Sequence, residues 1–446
     1  MDLAETLREA GVVGAGGAGF PAHVKAASKA EVVIANGAEC EPLLQKDQAV
    51  LRHFTGEVLD GLELLRKACG AARGVLAVKA KHKELVAHLE GPVRERGLEL
   101  FKLGDFYPSG DEYCLVYDVT GRLIPSAGIP IQVGVVVQNV ETLYNAARAA
   151  REPVTDTFVT VAGAVRSPRT LRLPVGTSME EALALAGGAK VPEYAVLDGG
   201  AMMGKVVSDL SQPLTKTSSG FILLPKGHAL LGRKSAPREV DDRVGKSACD
   251  QCSLCTELCP RYLLGYSIQP HRVMRSLLFS PADRRTHSEW ALLCCECQLC
   301  TLYACPENLA PGKICVSAKS DLAAQKITWK NAHINPTAAA PRAPAPKAHS
   351  MRAFRKVPVS QLIARLGLSD YDAEAPFVPG DYAPKRVRIP LKQHAGAPAS
   401  PVVREGQAVR RGELIGDIPA GQLGARVHAS IGGRVTAISD LVEITQ

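Results

Sequence analysis

The chain has 446 residues, 46% of them apolar and 22% charged, with a formal net charge of +8. That length accommodates about two to four domains of ordinary globular composition, and it contains neither an apolar run near the roughly eighteen residues that span a bilayer nor a signal-peptide layout at the N-terminus. Lys and Arg are dispersed, not gathered into a nucleic-acid-binding stripe, and of thirteen cysteines eight fall into metal-ligand spacing, so a cytoplasmic protein with reduced thiols is expected, with no nucleic acid among its partners.

A short amphipathic helix from Asp2 to Ala10 leads into Gly14-Ala15-Gly16-Gly17-Ala18-Gly19-Phe20-Pro21. Read literally this contains G-x-G-x-x-G, but the dinucleotide fingerprint must follow a strand, and the strand-like run Glu31–Ala35 comes after it. What remains is physical. Glycines let backbone N–H groups approach a phosphate or flat ring, and Lys25, one or two turns into the next helix, can neutralise an anion. A plain turn is the competing reading. Strand-like runs recur at Val32–Ala35, Val75–Val78, Leu98–Leu103 and Val133–Val137, with helical patterns at Val58–Ala68 and Glu84–Leu89, which predicts a largely parallel α/β sheet. Its polar loops are Asn36–Pro42, Tyr107–Glu112 and Gln138–Thr142.

Residues 155–235 open with two short strands across a Pro-containing turn, followed by an Ala/Leu/Glu helix ending at Gly187-Gly188: a compact α+β unit with nothing catalytic in it. Next come Cys249-x2-Cys252-x2-Cys255-x3-Cys259-Pro260 and Cys294-Cys295-Glu296-Cys297-x2-Cys300-x4-Cys305-Pro306. The first has the spacing of a bacterial-type [4Fe–4S] site, in which three close cysteines hold one cubane and the remote cysteine before proline reaches the other. By that pattern Cys249, Cys252, Cys255 and Cys305 form one set, and Cys294, Cys297, Cys300 and Cys259 the second; Cys295, out of the x2 spacing, is read as a bystander. Two zinc ribbons are the alternative, which triplets followed by Cys-Pro fit poorly. Cys40, Cys69 and Cys114 have no partner spacing and read as small core residues.

The Ala/Pro repeat from Asn335 to Pro346 reads as a linker, followed by a possible helix at Val359–Leu366. The last sixty or so residues turn to short β segments: Val387–Ile389, Pro401–Val403, Glu413–Ile418, Ala425–Ala429 and Gly433–Ile438.

The stretches GAGGAGFPAHVK, ANGAECEP, YPSGDE and VGVVVQNVETLY resemble the flavin-binding core shared by the NADH-oxidising subunit of respiratory complex I and the RnfC subunit of the Rnf electron-transfer complex. The resemblance implies FMN, with NADH as electron donor. Gly14, Gly16, Gly17 and Gly19 match the loop beside the flavin, Lys25 its phosphate-contacting lysine, and Asn36 and Asn139 asparagines that hydrogen-bond it. Phe20, Glu41 and Glu112 match residues near the nicotinamide nucleotide. Ala15 and Ala38 depart from the complex I pattern, which has Arg and Asp there. The middle unit resembles the SLBB β-grasp domain, and the phrases Val403–Val409 and Ile431–Val435 resemble the halves of a barrel-sandwich hybrid; no lysine lies between Asp417 and Ala429, so covalent lipoyl or biotin carriage is not expected.

The implied fold class is multidomain α/β and α+β: a Rossmann-like FMN/NADH-binding core (1–152), an SLBB domain (153–238), a two-cluster ferredoxin-like helical domain (239–330), a linker with a short helix (331–384) and a C-terminal barrel-sandwich hybrid (385–446). That order resembles the cobalamin (corrinoid) reductases of propanediol-utilisation microcompartments. The resemblance implies an oxidoreductase that passes electrons from NADH through FMN and two [4Fe–4S] clusters to a corrinoid. It implies as partners a corrinoid substrate or an adenosyltransferase, with shell proteins of a bacterial microcompartment as further candidates, and it requires no catalytic acid or base. The alternatives are an RnfC-like subunit of a membrane ion-pumping complex and an electron conduit with no NADH site of its own.

Overall fold

The computed structural model describes residues 2–335 and 346–446. Helices α1 (Leu3–Glu9) and α2 (Ala22–Ala26) flank the glycine loop and precede β1 (Val32–Gly37), α3 (Lys46–His53), α4 (Thr55–Ala68), β2 (Arg73–Lys79), α5 (Lys83–Glu95), β3 (Glu99–Leu103), β4 (Phe106–Tyr107), α6 (Glu112–Thr120), β5 (Val135–Asn139) and α7 (Val140–Arg148). The parallel sheet runs β3-β2-β1-β5. Strands β1, β2 and β5 carry continuous apolar runs because helices cover both faces, while the edge strand β3 is mixed and half-exposed. On one face Leu59, Leu62 and Leu143 pack together; on the other Ile34, Val75 and Val137 meet Leu115 and Val116 of α6. Helices α4 and α7 approach so closely that a Cβ on Gly61 would lie 2.0 Å from the Leu143 carbonyl oxygen. Asp111 caps α6 by accepting from the Tyr113 and Cys114 amides, and Asn139 caps α7 by accepting from that of Glu141. Both helix starts therefore open at the carboxyl ends of the strands, where open α/β sheets bind ligands.

A second sheet follows, with β6 (Asp156–Gly163), β7 (Arg169–Pro174), β8 (Tyr194–Asp198), β9 (Lys205–Val207) and β10 (Gly220–Pro225) in the order β7-β6-β10-β8-β9. Its helix α8 (Met179–Leu185) begins at a reciprocal Ser178–Glu181 capping box. Helices α9 (Ala229–Ser235), α10 (Arg238–Ala248), α11 (Leu254–Glu257), α12 (Pro260–Leu263), α13 (Pro270–Arg275), α14 (Pro281–Ser288) and α15 (Pro311–Ala324) carry the cysteine segment.

Residues 336–345, most of the Ala/Pro stretch expected as a linker, lie outside the described residues. The chain beyond them packs. Strand β11 (Val357–Pro358) pairs antiparallel with β4, and α16 (Val359–Arg365) buries Leu362 in the cluster that holds Leu231, Leu302 and Tyr107. The C-terminal unit closes two sheets, β12 (Arg386–Pro390), β14 (Ala408–Val409), β17 (Gly433–Ile438) and β18 (Leu441–Thr445) in one, β13 (Ser400–Pro401), β15 (Leu414–Asp417) and β16 (Val427–His428) in the other, over Ile389, Ile415, Val427 and Ile444.

Candidate flavin pocket and cysteine sites

A cavity of about 420 Å³ opens at the carboxyl end of the parallel sheet, within the roughly 300–1,000 Å³ of small-molecule sites. Of the residues expected at the flavin and nucleotide, Gly14, Gly16, Phe20, Lys25, Asn36, Glu112 and Asn139 line it. Lys25 Nζ donates to the Val137 carbonyl at 2.8 Å and to Glu112 Oε1 at 3.3 Å. Asn36 Nδ2 donates to the Gly110 carbonyl at 3.0 Å while its Oδ1 accepts from Ala38 N, so this side chain ties two pocket loops together.

Gly17, Gly19 and Glu41 lie outside the lining. Gly19, at φ +63°, faces the C-terminal unit: a Cβ there would stand 2.9 Å from His394 Cα. Glu41 is turned towards the second sheet, accepting from the amides of Met202 at 2.8 Å and Met203 at 2.9 Å, and burial pushes its carboxyl up to about 7 despite those bonds.

Sequence reasoning missed two parts of the pocket. One is the apolar wall Ile129-Pro130-Ile131. The other is a buried charged group behind the lining, in which Asn139 Nδ2 donates to Asp47 Oδ2 at 2.8 Å and Lys46 pairs with Asp47 at 3.1 Å and Glu141 at 2.6 Å. Glu39 joins it by accepting from the Asp47 and Gln48 amides, and burial followed by the Asp47 charge pushes Glu39 up to about 7. The only sequence signal was a Lys-Asp pair just beyond the Asn36–Pro42 loop.

The two cysteine loops have the same backbone. The residues before and after the second cysteine are left-handed in both, Gln251 (φ 63°) and Ser253 (φ 66°) around Cys252, Glu296 (φ 61°) and Gln298 (φ 60°) around Cys297. Cys294 therefore occupies the position of Cys249, and Cys295 that of Asp250. The extra residue before Cys305 is taken up in a π-turn over Cys300–Ala304, closed by the Cys305 N–H to the Cys300 carbonyl at 3.2 Å.

Electrostatics group the thiols across the two loops. Burial, then Cys249, Cys305 and Cys252, push Cys255 up to about 12. Burial, then Cys294, Cys259 and Cys255, push Cys300 up, and burial followed by Cys295 and Cys294 raises Cys259. Cys305 thus stands with the first triplet and Cys259 with the second. Cys294 also hydrogen-bonds Cys315, which lowers its thiol, and Cys295 hydrogen-bonds Cys297. Among the described residues no three Cys, His, Asp or Glu side chains are gathered as a ready site for a single metal ion.

The loop Phe106–Glu112 lies between pocket and cysteines. Gly110 and Glu112 line the cavity, while the buried Tyr107 hydroxyl donates to the Cys297 carbonyl at 2.9 Å.

The chain is 42% identical to the cobalamin reductase PduS of Salmonella typhimurium, over 98% of its own length and 95% of that protein. It belongs to the PduS cobalamin reductase family. A second PduS, from Citrobacter freundii, is 41% identical over the same shares. A component of the ion-translocating oxidoreductase complex of Pseudomonas aeruginosa is 33% identical over 59% of this PduS-family chain and 34% of that protein. Residues 7–148 match the Nuo51 FMN-binding domain, 158–206 the SLBB domain, 248–310 the 4Fe-4S dicluster domain and 378–446 the RnfC barrel sandwich hybrid domain. The H2-reduced NAD+-reducing [NiFe]-hydrogenase has a similar fold, with a TM-score of 0.50 and 19% identity, covering 79% of this chain and 64% of that one. This PduS-family member is thus a flavo-iron–sulfur oxidoreductase. Its residues fit both groups: a glycine-lined cavity with a lysine and two asparagines suits a phosphorylated flavin, and soft thiolates in triplet-plus-one sets suit iron–sulfur ligation. Among the described residues no helix is long and apolar enough to cross a membrane.

Proposed function

We propose that this chain is an NADH-dependent corrinoid reductase that uses FMN and two [4Fe–4S] clusters, one held by Cys249, Cys252, Cys255 and Cys305, the other by Cys294, Cys297, Cys300 and Cys259. When bound, these groups supply the conversion of a two-electron donor into one-electron steps. The observation that carries this reading is the loop Phe106–Glu112, one side of which lines the cavity while the other bonds to the second cysteine loop. The extent of identity to cobalamin reductases supports a cobalamin as acceptor; we extend this to cob(III)alamin or cob(II)alamin, with an adenosyltransferase as recipient and a microcompartment as location.

The protein's own part is to bind, orient and exclude water. Gly14 and Gly16 admit a ligand close to the backbone, and Lys25 offers a cation to a phosphate. Asn36 holds the β1 loop against Gly110, and Asn139 is fixed by Asp47, so the pocket's polar edge is set before a ligand enters. Pro130 and Ile131 form an apolar wall, with Ile129 exposed at its rim. Glu112, held at the mouth by Lys25, is the carboxylate available to the nicotinamide nucleotide.

Anaerobic preparation tests this reading. Iron, sulfide and FMN should be present, NADH should bleach the flavin absorbance, and cobalamin should then be reduced. Glu112→Gln removes a charge-assisted hydrogen bond of about 1.5–3 kcal/mol, so bleaching should need roughly 10- to 100-fold more NADH with cluster absorbance unchanged. A protein containing zinc and no FMN, or one whose flavin ignores NADH, would overturn it.

A further inference from the structure

Two residues after Cys259 stands Arg261, and its surroundings are those of a built charge site. Its guanidinium pairs with Asp111 at 2.7 Å, with the two side chains only 12% and 14% exposed, and it lies 3.4 Å from the centroid of the Tyr113 ring. Tyr113 is held in turn by its hydroxyl bond to the Gly128 carbonyl at 2.7 Å and by edge packing against Tyr266. Asp111 takes only part of the guanidinium: Arg261 Nε is buried with no hydrogen-bond partner. A cavity of about 190 Å³ runs from Arg261 past Tyr266 and Leu293 to Cys294 and Cys295. A buried cation with a spare donor therefore shares one small space with the second cysteine set.

We propose that Arg261 is a positioning residue that sets the reduction potential of the cluster held by Cys259, Cys294, Cys297 and Cys300, and that Asp111 tempers it. The inference rests on the function proposed above. An iron–sulfur centre gains negative charge on reduction, and its potential responds to nearby charge, hydrogen bonds and burial. At a poorly screened site a fixed cation favours the reduced state, and a carboxylate beside it opposes that effect. Asp111 also caps α6, whose first residue, Glu112, lines the flavin cavity. The same carboxylate thus joins the flavin pocket to the charge beside the second cysteine set.

The test is an anaerobic redox titration followed by electron paramagnetic resonance, with iron and sulfide measured on every preparation. The two signals are assigned by Cys252→Ser, which removes the first set's cluster. Arg261→Leu should shift the second set's potential to more negative values and leave the other in place, and Arg261→Lys should restore most of the shift. Asp111→Asn keeps a capping side chain and should move the same potential the opposite way, which preserves the test if Arg261→Leu does not fold. Unmoved potentials at full iron and sulfide content, or movement of the cluster that Cys252→Ser removes, would overturn this inference alone. Preparations without iron and sulfide would overturn the proposed function with it.

Discussion

His428 lies in the C-terminal unit with its Nδ1 buried and without a hydrogen-bond partner, and burial, followed by the Lys216 and Arg426 charges, holds it down at about 3. Between pH 6.5 and about 3 the unfolded chain takes up a proton that the folded one refuses, so this residue's contribution to stability is lost as pH falls through that window. Glu39 and Glu41, raised to about 7, act with the opposite sign: the folded state holds their protons between pH 4.5 and 7, and their contribution is lost as pH rises. The wild-type profile mixes both, so the decisive quantity is a difference. His428→Phe should spare about 2–3 kcal/mol of the loss between pH 6.5 and 4.5, at about 1.4 kcal/mol per unit. Thermal unfolding of both proteins across that range measures it, and parallel curves would clear His428 of the effect. At this scale the pocket was partly legible: Gly14 and Gly16 sit in a glycine-rich loop and Lys25 in the helix after it, a composition that points to an anion, whereas Asn36, Glu112 and Asn139 were marked by the family resemblance. The placement of Glu41 was not, because the Met202 and Met203 amides that hold it come from a loop more than a hundred and fifty residues away.

The two cysteine loops carry the lesson at the scale of the element. Spacing alone left Cys294 and Cys295 as neighbours separated only by the x2 rule. The repeated left-handed pair, Gln251 and Ser253, then Glu296 and Gln298, places Cys294 in register with Cys249. Cys294→Ser should therefore cost about half of the bound iron and sulfide, whereas Cys295→Ser should leave both unchanged. Iron and sulfide analysis with electron paramagnetic resonance decides it, and the reverse pattern would exchange the two cysteines' roles. The unequal spacing before Cys305, an irregularity in sequence, becomes regular in structure because the π-turn over Cys300–Ala304 absorbs one residue. The parallel sheet was legible because doubly covered strands must be apolar throughout. Strands β14 and β18 were not read as such: Ala408–Val409 is only a two-residue pairing, and Leu441–Thr445 carries a Glu on its half-exposed face.

Across the whole molecule, the two ends of the chain meet at the flavin pocket. Ala395 N donates to the Gly19 carbonyl at 2.9 Å, and Lys216 Nζ donates at 2.8 Å each to the carbonyls of Gly11 and Arg426. Arg426 pairs with Glu9 and, at 2.9 Å, with Asp417. The C-terminal unit thus braces the glycine loop from behind. Gly19→Ala would put a Cβ 2.9 Å from His394 Cα at a φ of +63°, a strain of about 1–3 kcal/mol released by displacing the loop. FMN affinity, read from flavin fluorescence, should fall about tenfold although Gly19 does not line the cavity; unchanged affinity would mean that the brace does not shape the pocket. The sequence by itself carried the spacing of the two cysteine runs, the glycine loop and the apolar strands of the parallel sheet, because ligand spacing, turn chemistry and apolar periodicity are local properties of a chain. Resemblance to known families gave the order of the units and the other pocket loops. Only the tertiary structure decided that Glu41 faces the second sheet, that Arg261 meets Asp111 and that the last unit supports the first loop. Those contacts join residues from far apart in the chain, and no local pattern encodes which distant partner will satisfy a buried charge.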